Sequence, residues 1–188
     1  IYLQSGPAQS RIAAVGMHPE ASPAHDAWDV MMPPRMADFL ELFTRHPEHP
    51  NGAFAQDVVA TAEQYVWEFE LASNLGRREI ELRWPTFAAE GGKQLVLFDV
   101  EHQYAVPMHE RDHYLSFSDE ETRHFRIYYG DAAFIASALQ PERIHVGQAF
   151  PSPVEAGRGV LIPVGLPPGQ TYSVRLSLVN LQGQEVHR

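Results

Sequence analysis

The run Tyr65, Val66, Trp67, Glu68, Phe69, Glu70, Leu71, continued after Asn74, Leu75 and Gly76 by Glu79, Ile80, Glu81, Leu82, Arg83 and Trp84, decides the fold class. In each half, large apolar side chains alternate with charged ones. A period of two puts the apolar set on one face and the charged set in water, as in a half-buried strand. The short Asn74 to Gly76 turn between the halves predicts an antiparallel hairpin.

Outward from this pair, strands are expected at Tyr114 to Phe117 and at Phe125 to Tyr129. Leu95 to Val100 is more continuously apolar and suits a strand covered on both faces. Upstream, Asp38 to Phe43 reads as a strand, and His46 to Gly52, with two prolines and an Asn-Gly pair, as a long turn. The opening is loop-rich, with Gly6-Pro7, Pro19, Pro23 and Pro33-Pro34 around one strand-like segment, Ile12 to Val15. Strands at short spacing with turn signals between them argue for a β-sandwich. Ala132 to Leu139 looks helical until Pro141 stops it, and serves as a bridge to the C-terminal part of the chain.

From Phe150, Pro151, Ser152 and Pro153 onward, two proline-bounded strands and a turn at Gly183 read as the first part of a small second sandwich. The expectation is therefore an all-β protein: an immunoglobulin-like β-sandwich plus a second, partial Ig-like sandwich. The segments are a loop-rich 1–35 with one strand, a sandwich over 36–130, a linker over 131–146 and a partial sorting-type domain over 147–188. A sheet of two or three strands is marginal in water unless one face is covered. The cover would come from the first module, from residues after 188, or from a strand of another subunit, with Ile1 to Ser10 as the candidate donor.

The order Phe150-Pro-Ser-Pro153, apolar strand, Leu166-Pro167, alternating strand and Leu181-Gln-Gly-Gln-Glu-Val186 resembles the C-terminal immunoglobulin-like sorting domain of proteins exported by the type IX secretion system of Bacteroidota-like bacteria. It is also similar to the related domain of flagellar hook-capping proteins. The family usually has Tyr-Pro-Asn-Pro at 150–153 and Gly-Arg-Glu-Val at 183–186, and its second half lies beyond Arg188. The preceding region resembles a β-sandwich module often placed before such domains, through Asp26, Asp29, Pro33-Pro34, Trp67 to Phe69, Trp84-Pro85, Leu95 to Asp99 and Arg123 to Phe125. The resemblance implies export to the cell surface or medium, contact with the secretion machinery, and an accessory role.

Composition narrows the classes of function. In 188 residues, 24 acidic side chains face 14 basic ones, a formal charge of -10. Without a Lys/Arg cluster to track phosphates, nucleic acid is not an expected partner. Cysteine is absent, which removes disulfides and thiolate metal sites. No apolar run approaches the roughly 20 residues that cross a bilayer as a helix. The chain opens at Ile1 without a signal-like segment, which reads as a processed chain and fits a secreted origin.

The sharpest chemical motif is His109-Glu110-Arg111-Asp112-His113, a literal H-E-x-x-H. In zinc peptidases a helix sets both imidazoles on one face and leaves Glu to activate the bound water. Pro107 before the motif and the alternating Tyr114 to Phe117 after it leave no room for that helix. The extended pattern's third ligand is missing too, with Ser116 and Asp119 at its positions; Glu120, Glu121 and Glu142 are the acidic alternatives. A polar loop is the expected reading.

His102, His109, His113 and His124 would need neighbouring strands to converge on a metal. Asp26 and Asp29, with Glu20 nearby, have calcium-type oxygens without EF-hand spacing, and a solvated turn with Asp capping backbone donors is expected there. Trp67, Phe69, Trp84, Phe98, Phe117 and Phe125 read as core rather than as a carbohydrate-binding stripe, while Trp28 sits in a polar loop as a candidate surface anchor. No nucleophile elbow or phosphate loop accompanies the Ser, His and Asp residues.

The expectation is a non-catalytic structural or attachment module, secreted or at the cell surface, with no catalytic residues, cofactor or metal assigned. It would associate with itself or with neighbouring domains through open sheet edges, in its sharpest form as a filament subunit. The competing readings are a zinc-dependent hydrolase using His109, His113 and Glu110, and a ligand-binding accessory domain of a larger secreted enzyme.

Overall fold

The computed structural model of the chain describes residues 1–188 except 47, 50–51, 77, 87–90, 119–121, 151–153, 155–156, 158 and 188. Two antiparallel sheets face each other across one core, so the all-β sandwich is present. The first sheet contains β1 (Tyr2–Ser5), β2 (Ala8–Ser10), β8 (Arg78–Arg83) and β11 (His113–Ser118), in the order β11-β8-β1-β2. The second contains β5 (Leu40–Phe43), β7 (Tyr65–Ser73), β9 (Gln94–Asp99), β10 (Tyr104–Pro107) and β12 (Arg123–Gly130), in the order β10-β9-β12-β7-β5.

Alternation dictates which side chains meet. Leu3, Ile80, Leu82 and Tyr114 come from the first sheet, and Leu42, Trp67, Phe69, Leu71, Leu97, Val106, Phe125 and Ile127 from the second, forming one buried cluster. The aromatic positions largely follow the expectation: Trp67, Phe69, Trp84 and Phe125 are buried in this core. Phe98 instead packs on the outer face with Val96 and Tyr128, beneath Phe134 and Ile135 of the helix α1 (Ala132–Ala138) and its C-cap Leu139. Thus β9 is covered on both faces, as its apolar run predicts. Asp131 caps α1 by accepting from the Phe134 N–H at 2.8 Å, and a Cβ at Gly130 would meet the Phe134 ring at 2.5 Å.

The expected hairpin does not form. β7 pairs with β5 and β12, whereas β8 pairs with β1 and β11 in the opposite sheet. The turn at 74–76 carries the chain from one sheet to the other, and the Asn74 side-chain amide donates to the Ala37 carbonyl at 2.6 Å to hold it. Alternation fixes which face of a strand is buried but says nothing of its lateral partner, which is why the two strands look paired in sequence.

The opening segment is also more ordered than its composition suggests. Rather than a free donor with one strand beyond it, residues 1–35 hold four strands: β1, β2, β3 (Ala14–Met17) and β4 (Val30–Met31). β1 sits between β2 and β8, with Leu3 only 1% exposed. A third sheet, β3-β6-β4, is built on β6 (Phe54–Val59), parallel to β3 and antiparallel to β4. It is joined to the end of β5 by the Thr44–Phe54 bridge.

Beyond α1, β13 (His145–Val146) pairs with β14 (Val164–Gly165), and β15 (Leu178–Val179) with β16 (Glu185–His187). Where the sequence predicts a partial second sandwich, the described residues hold two separate two-stranded ribbons and the Phe150–Leu161 bridge; Pro151, Ser152 and Pro153 lie outside those residues. Phe150 anchors this part to the first by stacking on His102 at 4.0 Å. If β1 is integral to the sandwich, Leu3→Ala costs about 2–5 kcal/mol in urea unfolding. A loss below roughly 0.5 kcal/mol would mean that the strand is dispensable.

Candidate metal centre

Two buried polar clusters distinguish the interior. The first is closed. Asp99, 1% exposed at the end of β9, accepts from the His102 backbone N–H at 2.8 Å, from the Tyr114 hydroxyl at 3.0 Å and from Arg123 Nη2 at 3.1 and 3.2 Å. His102 Nδ1 lies 2.8 Å from Asp99 Oδ2 and 2.7 Å from Arg123 Nη2, and it can donate to the first or accept from the second, one at a time.

Burial pushes the Asp99 carboxyl up, but the His102 hydrogen bond and the Arg123 charge outweigh it and hold the group below its ordinary value. Burial, reinforced by the Asp99 charge, pushes the Tyr114 hydroxyl up, so it stays a donor. This cluster locks β9, β11 and β12 together.

The second cluster is open. Asp29, immediately before β4, sits opposite Asp57 of β6, because the β4–β6 register pairs Val30 with Gln56. Its Oδ1 accepts the Val58 N–H at 2.9 Å, and its Oδ2 the Asp26 N–H at 2.9 Å. His46 follows the Thr44–Phe54 bridge and is turned back by its N–H donating to the Gly52 carbonyl at 3.2 Å. The ligand atoms of Asp29, His46 and Asp57 all lie within 4.8 Å of one another. His25 Nδ1 stands 3.5 Å from Asp29 Oδ2. The Phe54 ring, fully buried, packs against the imidazoles of His25, His46 and His49 at 4.6, 4.7 and 5.3 Å.

Three of the ligand atoms, His46 Nε2, Asp57 Oδ1 and His25 Nδ1, are held but unsatisfied. His46 Nε2 is 3.5 Å from Asp57 Oδ1, and neither atom has a hydrogen-bond partner, although both residues are more than nine-tenths buried. His25 Nδ1 is likewise buried and unbonded. Burial pushes the Asp57 carboxyl up; the Asp29 charge adds to that, against an opposing pull from His46. Among the described residues, the ion pairs of Asp29 and Asp57 are with histidine alone. The imidazole of His46 and the carboxylates of Asp29 and Asp57 form a donor set suited to a divalent transition cation, with His25 standing beside Asp29.

The sequence-predicted candidates lie elsewhere. Residues 108–110 form a turn in which the Glu110 and Arg111 N–H groups both reach the Pro107 carbonyl, at 3.1 and 3.3 Å, and His113 opens β11. The Trp84 indole N–H reaches the Met108 and Arg111 carbonyls at 3.0 and 2.7 Å, clamping a loop rather than a helix. His102, His109, His113 and His124 do not converge: each faces its own carboxylate, Asp99, Glu110, Asp112 and Glu101 respectively. Asp119, Glu120 and Glu121 lie outside the described residues, and Glu142 is exposed.

Asp26 behaves as the capping turn residue expected, accepting from the Ser22 and Trp28 N–H groups, which lower its pKa. Asp29 departs from that picture, its side chain being 1% exposed. Trp28 is exposed at 41% and stacked on His18 at 3.7 Å.

Sequence reading missed His46, Asp57 and His25. A signal was present: an Asp inside the apolar run Phe54 to Val59, following a turn that carries His46, Glu48 and His49. No protein-family model, curated protein or solved structure matches the chain.

The closed cluster makes a pH prediction. A carboxyl with a lowered folded pKa contributes stability that is present above its unfolded value, about 4, and is lost as pH falls through the folded value. Asp99→Asn should cost about 3 kcal/mol at pH 7. In urea unfolding series the gap between wild type and variant should close as the pH is taken below about 4; a gap independent of pH would contradict the pairing.

Proposed function

We propose that the protein is a non-catalytic structural or attachment module of a secreted or cell-surface bacterial protein, exported by a type IX-like route. The carrying observation is the C-terminal ribbon. Val174, Leu176, Leu178, Val179, Leu181 and Val186 are all exposed, Leu181 completely. The turn between β15 and β16 is well built, with Asn180 Oδ1 accepting from the Gln182 and Gln184 N–H groups at 3.0 and 2.9 Å and Gly183 at φ +80°. A formed ribbon that shows apolar side chains to water is suited to being covered by another protein surface.

The sequence resemblance to sorting domains supports the same reading, and so does the loop geometry of the H-E-x-x-H stretch, which offers no helix for a zincin. With β1 already used inside the sandwich, the association runs through the ribbon edge, and a second copy of the chain is the occupant we favour. The filament subunit is the sharpest form of this proposal.

Light scattering on a sizing column, with electron microscopy of the same fractions, tests it. Wild type should run as dimers or larger regular assemblies, and Leu178→Asp with Leu181→Asp should return it to monomer. A wild-type monomer at all concentrations would contradict self-association. Retained hydrolase activity in Glu110→Gln would count against the competing enzyme reading; its abolition would favour it.

A further inference from the structure

We propose that Asp29, His46 and Asp57, with His25 as fourth ligand, form a structural binding site for one zinc-type divalent transition cation. This goes beyond the functional reading above and stands independently of it.

The imidazole of His46 faces a carboxylate through each ring nitrogen. Its Nδ1 lies 3.3 Å from Glu48 Oε1, and the tautomer that donates there leaves the Nε2 lone pair for a cation. That lone pair faces the Asp57 carboxylate oxygen at 3.5 Å. Two acceptors facing each other in a buried site repel unless something positive sits between them.

A direct charge-assisted hydrogen bond would contract the pair to about 2.7–2.9 Å. His102 and Asp99 show that contraction in this same chain, at 2.8 Å. His46 and Asp57 do not. Their separation instead suits a shared cation, since ligands about 2.0–2.1 Å from a tetrahedral ion stand roughly 3.4 Å apart. His25 Nδ1, itself without a hydrogen-bond partner, stands at the same 3.5 Å from Asp29 Oδ2, which also accepts the Asp26 N–H.

The surroundings fit a closed structural site. Glu48 orients His46 from behind, and the Val58 N–H holds the other oxygen of Asp29, the carboxylate–histidine–metal arrangement that fixes ligand rings and raises their basicity. The Phe54 ring walls the imidazoles. Imidazole in the donor set selects a zinc-type ion over calcium, which takes six to eight oxygens. The ion would tie the 25–29 loop and the turn after β5 to β6, and would neutralise two carboxylates that have no Lys or Arg partner among the described residues.

The test uses the full chain, stripped with a chelator and dialysed against zinc alone. One zinc per chain is expected, with a raised melting temperature that calcium does not reproduce. His46→Ala and Asp57→Asn should weaken uptake by roughly 100-fold or more, and Glu48→Gln by about tenfold. The double variant His109→Ala with His113→Ala should bind as wild type does. His25→Ala, on a partly exposed side chain, keeps the proposal testable if the buried variants fail to fold: it should weaken zinc at least about tenfold and alter the visible absorption of the cobalt-substituted protein. Folded wild type without stoichiometric zinc would overturn the proposal. So would unchanged affinity in His25→Ala, or loss of uptake in the His109/His113 variant.

Discussion

Face-to-face burial of two alternating strand sets is the constraint on which the rest of the structure depends. Leu3, Ile80, Leu82 and Tyr114 on one sheet meet Trp67, Phe69, Leu97, Phe125 and Ile127 on the other, and at about 25 cal/mol per Å2 of apolar surface this contact outweighs any single polar one. It forces consecutive strands into opposite sheets at 74–76, and again between β10 and β11. The loops that make those passages are where the polar residues collect.

The two buried polar clusters show how the same residue types serve different ends. Around Asp99, contacts of 2.7–3.2 Å leave no carboxylate oxygen without a donor. Beside Asp57 the distance opens to 3.5 Å, and both His46 Nε2 and Asp57 Oδ1 are without a partner. Arginine accounts for the contrast. Arg123 supplies a permanent charge to the first cluster, whereas the ion pairs of Asp29 and Asp57 among the described residues are with histidine alone. A site built that way is complete when a cation enters it.

The sandwich was legible because Trp67 to Leu71, Ile80 to Trp84 and Phe125 to Tyr129 carry a clear period of two. Partners were not, since β7 and β8 look like a hairpin in sequence and part company in space. β1, β2 and β10 are three or four residues long, too short for periodicity to register. β6 is hidden in sequence because burial alternates from Ala55 to Val59 while apolarity does not, with Asp57 on the buried face and Val58 on the other. The metal centre was hidden for a related reason. Asp29, His46 and Asp57 come from separated positions that the β4–β6 register and the Thr44–Phe54 bridge bring together, while the contiguous His109 to His113 motif lies on a loop elsewhere.

The sandwich supplies rigidity, the C-terminal ribbon is suited to attachment, and a bound ion would tie the third sheet to the turn after β5. X-ray absorption at the zinc edge on the zinc-loaded full chain addresses the central claim most directly. Four nitrogen and oxygen ligands at about 2.0–2.1 Å are expected, with outer-shell scattering from two imidazoles. A spectrum of six oxygens without imidazole scattering would contradict a centre built from His25, Asp29, His46 and Asp57.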